Sequence, residues 1–373
     1  MSTTRRQGPL HGLRGVLLGG IGPGPYAAML LADLGAEIVR IERPVVAEPG
    51  HPLFPRLDVF ARGQSRLDAD LKTEAGQQLA WRCIENADFL IEGFRPGTLE
   101  RLGFAPDTCL ERNPRLVIAR ITGWGQSGPL AAAPGHDLNY IGLTGALAAM
   151  PRRGDAQSRA IPLNLIGDFA GGGMWACLGI QAALLERAQS GKGQVVDAAM
   201  IDGALSLMSM AYVLAASGSL SQPPGHNLID GGAHLYNTYT CADGAEIAVG
   251  AIEAQFYEKL YDLIGREHPA PSTRFAPDTW PALTEELADR FGTRPRDEWC
   301  AAPDATQACV SPVLSIEEAP SHPHHLHRHS FIECDGVQVP APGPRFSRTP
   351  VGIPDGYRLV ADSSSKEMSD ERN

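Results

Sequence analysis

A histidine and an aspartate 32 residues apart carry the clearest chemistry in this chain. His136 follows Pro134 and Gly135, a turn-forming pair, and leads into Asp137, Leu138, Asn139 and Tyr140. An apolar run over 141–150 comes at once after them, and polar groups that enter a buried segment need partners or a ligand. Asp168 stands in the stretch 164–173, which closes on Gly171, Gly172 and Gly173. At the predicted entrance of a helix an aspartate suits the N-cap, and the helix dipole would favour its ionised form. Capping does not call for three glycines in a row; they let a ligand or another backbone come close. Imidazoles titrate near neutrality, so His136 suits a base. An imidazole and a carboxyl that converge on one carbon form a proton-shuttling pair. The N–H groups at the start of the Asp168 helix are the predicted donors to an anion formed beside it.

These residues need a frame. At 373 residues the chain exceeds one ordinary core, so about two domains are expected. Residues 13–43 read as strand, glycine-proline turn, helix and strand. Strand and helix signals continue to alternate through 69–86, 89–102 and 116–129. A long apolar helix is expected over 171–189, a strand over 194–199 and a second apolar helix over 200–217. This alternation predicts an α/β fold with a parallel sheet. The first turn lacks the third glycine of a dinucleotide fingerprint, and Pro23 and Pro25 remove N–H groups, so a nicotinamide site is not expected there. Composition shifts near 218, where Gly, Ser and Pro cluster up to 232. A hairpin over 236–250 with its turn at 242–245, and helices over 254–264 and 280–291, then predict a smaller α+β domain.

The formal charge of −11 argues against nucleic acid as a partner. No apolar run is long enough to span a bilayer, and residues 1–7 are not followed by the apolar core of a secretory signal. Seven scattered cysteines without a Cys-x-x-Cys read as reduced thiols of a cytosolic protein. The histidine-rich stretch 322–329 has no nearby cysteine and reads as a solvated surface run rather than a metal site. Arg40, Arg43, Arg62, Arg66, Lys72, Arg95 and Arg101 are solvated charges by default, but several follow predicted strands, on the edge where α/β folds bind ligands. The arginine fork suits phosphate. Glu253 reads as a helix-start carboxylate.

Taken together, the stretches 20–25, 38–44, 70–72, 91–97, 122–129, 135–140, 164–173, 191–197, 230–232 and 342–348 resemble the α-methylacyl-CoA racemases, which have the family III coenzyme A transferase fold. The resemblance implies a Rossmann-like large domain over 1–200, completed by 332–373. It implies a helical linker over 201–234, a small domain over 235–315 and a return linker over 316–331. It further implies an obligate homodimer of interlocked rings, with the active site between the large domain of one subunit and the small domain of the other. His136 and Asp168 would remove and return the α-proton of a 2-methylacyl-CoA thioester through an enolate, interconverting (R) and (S) epimers. Glu253 would orient a catalytic side chain. Coenzyme A would be held by Arg40, Ala69, Asp70, Leu71, Lys72, Gly93, Phe94, Arg95 and Arg101, with Gly135, Asp137, Leu138, Asn139 and Tyr140 lining the thioester end. Coenzyme A is then part of the substrate, and no separate cofactor or metal is implied.

Three stretches depart from the family pattern: 45–66 carries extra residues near the coenzyme site, 233–236 differs from the expected aromatic run, and the tail beyond 349 lacks a family match. The same fold hosts CoA-transferases, in which the aspartate is a nucleophile. A non-catalytic acyl-CoA binder is the remaining alternative. His136 with Asn139 and Tyr140 favours the racemase, and the acyl group stays open among branched fatty, sterol or bile-acid and arylpropionyl chains.

Overall fold

Three short apolar runs, β1 (Arg14–Leu18), β4 (Phe89–Glu92) and β5 (Val117–Thr122), form the centre of a six-stranded parallel sheet. They are buried on both faces, as the middle of such a sheet requires. The computed structural model describes residues 7–44, 57–152, 158–220 and 222–360. Along the chain, the first part also contains α1 (Pro23–Asp33), β2 (Glu37–Glu42), β3 (Gln64–Asp68), α2 (Glu74–Ile84), α3 (Thr98–Arg101), α4 (Pro106–Arg112), α5 (Asp137–Leu143) and α6 (Ala146–Ala149). A π-helix (Leu165–Met174), α7 (Trp175–Ser190), β6 (Gln194–Ala199), α8 (Met200–Leu207) and α9 (Ser209–Ala216) follow. Then come β7 (Tyr236–Thr240), β8 (Glu246–Gly250), α10 (Ala254–Ile264), α11 (Trp280–Phe291), α12 (Arg296–Ala301) and β9 (Val310–Val313). The last elements are α13 (Pro323–His327), β10 (Phe331–Cys334), β11 (Val337–Pro340) and β12 (Arg358–Leu359).

The chain divides into two units. The first comprises Met1–Ala146, Pro162–Met208 and Pro323–Asn373; the second comprises Leu147–Ile161 and Ser209–His322. In the first unit the strand order is β3-β2-β1-β4-β5-β6. Alternate residues of the central strands feed two cores. Leu17, Phe89, Ile91, Val117 and Ala119 pack with residues of α1 and α7. Val16, Leu18, Leu90 and Ile118 pack with Ile84, Leu99, Phe104 and Cys109 on the other face. The order reverses between β1 and β4, and ligands of open α/β sheets bind beyond the strand ends at such a reversal.

The long apolar helix expected over 171–189 is two elements, the π-helix and α7. The glycines of the first element lie against neighbouring helices. A Cβ on Gly203 of α8 would lie 2.1 Å from the Gly171 carbonyl oxygen. A Cβ on Gly172 would come within 2.9 Å of Pro23 Cβ, and one on Gly173 within 2.6 Å of the Tyr26 ring. The glycines therefore admit two neighbouring helices, α8 and α1, rather than a ligand. Gly203→Ala should lower stability by about 1–3 kcal/mol through overpacking. An unchanged urea midpoint would remove the close seam from the account. The helix expected over 200–217 is likewise divided, at Met208, into α8 and α9.

The C-terminal segment adds the three-stranded sheet β11-β10-β12 to the first unit. Buried Arg62 holds it: the guanidinium pairs with Asp33 of α1 and donates to the Pro340 carbonyl at 2.7 Å.

The second unit has the antiparallel sheet β7-β8-β9, with β7 and β8 joined through a turn at 241–245. Ile247, Leu260, Tyr261, Phe291 and Trp299 form its core. Among the described residues no helix is long and apolar enough to cross a membrane, and no three His, Cys, Asp or Glu groups could hold a metal ion. Of the extra segment 45–66, residues 45–56 lie outside the described residues, as does the tail after 360.

Candidate active site

Loops from the C-terminal ends of three strands meet the elements that carry His136 and Asp168. His136 occupies the N-cap position of α5 with extended backbone. Its N–H donates to Asn139 Oδ1 at 3.0 Å. One residue further on, the Tyr140 hydroxyl donates to the Gly135 carbonyl. The Tyr140 ring packs edge-on against Trp124, with centroids 4.8 Å apart. It rests on Gly123 and Gly135, where a Cβ would lie 2.1 and 2.7 Å from ring atoms. Asn139 and Tyr140 thus hold the turn that presents His136, while His136 itself is exposed, as is Leu138.

Asp137 turns inward and is only 5% exposed. Its Oδ2 accepts from the N–H groups of Gly167 at 2.6 Å and Asp168 at 2.7 Å. Those two N–H groups were the expected donors to an anion in the site. They are already committed to Asp137, so that expectation is corrected: a buried carboxylate on the neighbouring helix holds them first.

Asp168 is not the N-cap of its helix. Asn164 takes that position, and Asp168 sits in the first turn of the π-helix. Asn164 Nδ2 donates to Asp168 Oδ2 at 3.0 Å. The loop after β1 covers the other side, where a Cβ on Gly22 would be 3.4 Å from the same oxygen. The dipole argument predicts a lowered pKa, but burial raises the Asp168 carboxyl above its ordinary range. The Asn164 hydrogen bond pulls it back, the Asp137 charge pushes it up, and a charged His136 opposes that. Phe169 anchors this turn through an aromatic trio with Tyr26 and Phe60, with centroids between 4.8 and 5.8 Å. Three separate segments supply the trio, so no sequence spacing announces it.

The expected coenzyme residues divide into exposed cations and the groups that hold them. Arg40 is only 6% exposed, and its guanidinium is bound by Asp58 at 2.9 Å and by Glu42. Its charge is already matched by carboxylates. Ala69 is buried, and Asp70 Oδ1 accepts from the Lys72 N–H at 3.0 Å. The Leu71 carbonyl accepts from Gln77 Nε2. Together they fix the turn after β3 and leave the Lys72 side chain exposed. Arg101 is exposed and donates to Thr98 Oγ1 at 2.8 Å.

Gly93, Phe94 and Arg95 follow β4, in a loop set by a cluster that sequence reasoning missed. Glu92, fully buried, accepts from the Phe94 N–H at 2.8 Å and from Arg120 Nε at 2.7 Å. Arg120 also pairs with Glu100 at 2.9 Å. The only sequence signal was a glutamate at the end of one apolar strand run and an arginine inside another, and in the sheet they are register partners. Arg95 is exposed, and its charge bears on Tyr140, whose hydroxyl burial raises above its usual range and which Asp168 raises further.

His136, Asp137, Asn139, Tyr140 and Asp168 are therefore gathered on α5 and the π-helix of the first unit, with Arg95 in electrostatic reach. Glu253 belongs to the second unit, at the N-cap of α10, where its charge adds to the burial that raises the Cys309 thiol.

A doubly wound parallel sheet with this imidazole and carboxyl beyond its strand ends defines the class: the chain belongs to CoA-transferase family III, whose model matches residues 10–356. Within that class it is 43% identical to the α-methylacyl-CoA racemase of Mus musculus, over 94% of this chain and 89% of that protein. It is 42% identical to the α-methylacyl-CoA racemase of Homo sapiens, over 91% of this chain and 87% of that one. Among solved structures, a CaiB/BaiF family protein from Brucella suis matches with a TM-score of 0.78 at 27% identity, covering 99% of this chain and 100% of that one.

Proposed function

We propose that this chain interconverts (R)- and (S)-2-methylacyl-CoA thioesters by removing the α-proton on one face and returning a proton on the other. The observation that carries the reading is the half-buried Asp168 carboxyl, raised by burial and flanked by the element that begins at His136. A pair of this kind must hold one proton in total. Neutral His136 takes the α-proton and leaves an enolate, and protonated Asp168 delivers its proton to the opposite face. Reversal exchanges the roles. Burial holds the Asp168 carboxyl above its ordinary range, which suits a group that exchanges a proton.

Coenzyme A enters as part of the substrate, and the reaction needs no cofactor or metal. Lys72, Arg95 and Arg101 are the exposed cations suited to its phosphates. The acyl-CoA enzyme works as a homodimer in the cytosol. Self-association is supported by α7, whose Leu178 and Leu185 are exposed one heptad apart, and by Leu165 and Met174 on the π-helix.

The test is incubation with an (S)-2-methylacyl-CoA in deuterium oxide without any acceptor acid. The expected result is α-deuterium incorporation with drift to a near-equal epimer mixture, abolished in His136→Ala. No exchange, with CoA moving to an added carboxylate, would replace this reading by a transferase. Binding without either reaction would replace it by an acyl-CoA binder.

A further inference from the structure

We infer that Asp137 is a positioning residue that sets the spacing and orientation of His136 against Asp168. The inference rests on the proposed roles of those two residues. Asp137 is joined by one peptide bond to His136, and it accepts from the backbone N–H of Asp168 itself. The link between the two reacting side chains therefore passes through a single carboxylate. A second N–H, from Gly167, fixes the angle of that carboxylate. Gly167 is needed for the approach, because a Cβ there would stand 2.7 Å from Asp137 Oδ2.

A bland stabilising role explains less. A buried carboxylate is costly unless its bonds are strong, and short bonds from two N–H groups are of that kind. The first turn of the π-helix already has Asn164 as its local polar group. The chain nevertheless brings a charge from 31 residues away to this turn. The second oxygen, Oδ1, is buried and finds no hydrogen-bond partner among the described residues. The arrangement is thus not optimised for solvation; it is optimised for where two backbones meet. The charge has a further effect. Among the described residues Asp137, His136 and Tyr140 are titratable groups that interact with Asp168, and Asp137 pushes the Asp168 carboxyl up, adding to burial.

Two variants separate geometry from charge. Asp137→Ala removes the link, and misplacement of a reacting group by about 1 Å costs on the order of 100-fold. The expected result is a fall in kcat of that size, with KM for the acyl-CoA unchanged. Asp137→Asn keeps an acceptor oxygen for both N–H groups and loses the charge. It should recover most of kcat, while the limb of the pH–rate profile that belongs to Asp168 moves to lower pH. A purely structural role would shift neither the limb nor kcat at constant KM.

Wild-type kcat in Asp137→Ala would overturn the inference. So would a raised KM at unchanged kcat, which would put Asp137 on the substrate. If circular dichroism shows Asp137→Ala unfolded, Asp137→Asn decides alone: an unmoved limb with unchanged kcat overturns the inference. Failure of the racemase reading is separate, because wild-type protein would then show no α-deuterium exchange whatever Asp137 does.

Discussion

Asp168→Asn lowers kcat for epimerisation by about 1,000-fold, in the range that general acid–base groups contribute, with little change in KM. The amide can neither take nor give the α-proton, yet it keeps an oxygen for Asn164 to donate to. The loss is therefore chemical rather than architectural. Stability should move the other way. The carboxyl of Asp168 is raised by burial, so its folded pKa exceeds its unfolded value. A group of that kind contributes stability below its unfolded pKa and loses it as pH rises through the folded pKa. At neutral pH the wild type carries this cost and the amide does not. Asp168→Asn should then melt above the wild type at pH 7, with the gap closing at pH 4. A variant that melts below the wild type at both pH values, or that keeps a tenth of kcat, contradicts this account.

Arg120→Met gives the largest expected loss of stability, about 3–5 kcal/mol, because it leaves the carboxylate of Glu92 buried without its cation. Glu92 is fully buried, and even beside Arg120 burial holds its carboxyl above the ordinary range. Removing the cation raises it further. With the folded pKa above the unfolded one, stability present below about pH 4.3 is lost as pH rises through the folded value. The deficit of the variant against wild type should therefore grow between pH 5 and pH 7.5, read from urea unfolding. An equal deficit at both pH values would mean that packing, not charge, is what Arg120 supplies. Because Glu92 also accepts from the Phe94 N–H, the loop bearing Arg95 should loosen in the same variant.

Much of this architecture could be read from patterns of local origin. Apolar runs punctuated by glycine and proline marked the strands of the parallel sheet, and Asp243 and Gly244 marked the hairpin turn of the second unit. His136 and Asp168 were visible because each is a polar residue beside a conformational signal. What stayed hidden depends on contacts distant in sequence. The double acceptance by Asp137, the Glu92–Arg120–Glu100 cluster and the trio of Tyr26, Phe60 and Phe169 each join different segments. Asp168 was assigned the N-cap of its helix, a few residues from its place in the first turn, and the wrong direction of pKa shift, the latter for one reason. A dipole can be inferred from helix position, whereas burial depends on what packs against the helix. The three glycines at 171–173 allowed a ligand or a backbone, and only the positions of α8 and α1 distinguish the two.

The bond from Arg62 to the Pro340 carbonyl bears on how the protein is made. The first unit is assembled from segments that lie on both sides of the second unit's main segment, Ser209–His322. While the ribosome is still translating the second unit, Arg62 has its Asp33 partner but not the carbonyl that completes its hydrogen bonding. The sheet β11-β10-β12 is encoded after the second unit, so its carbonyl reaches Arg62 only once the second unit has been translated. In such a chain, the order of synthesis and the order of completion differ: the first unit is still incomplete when the second has been translated.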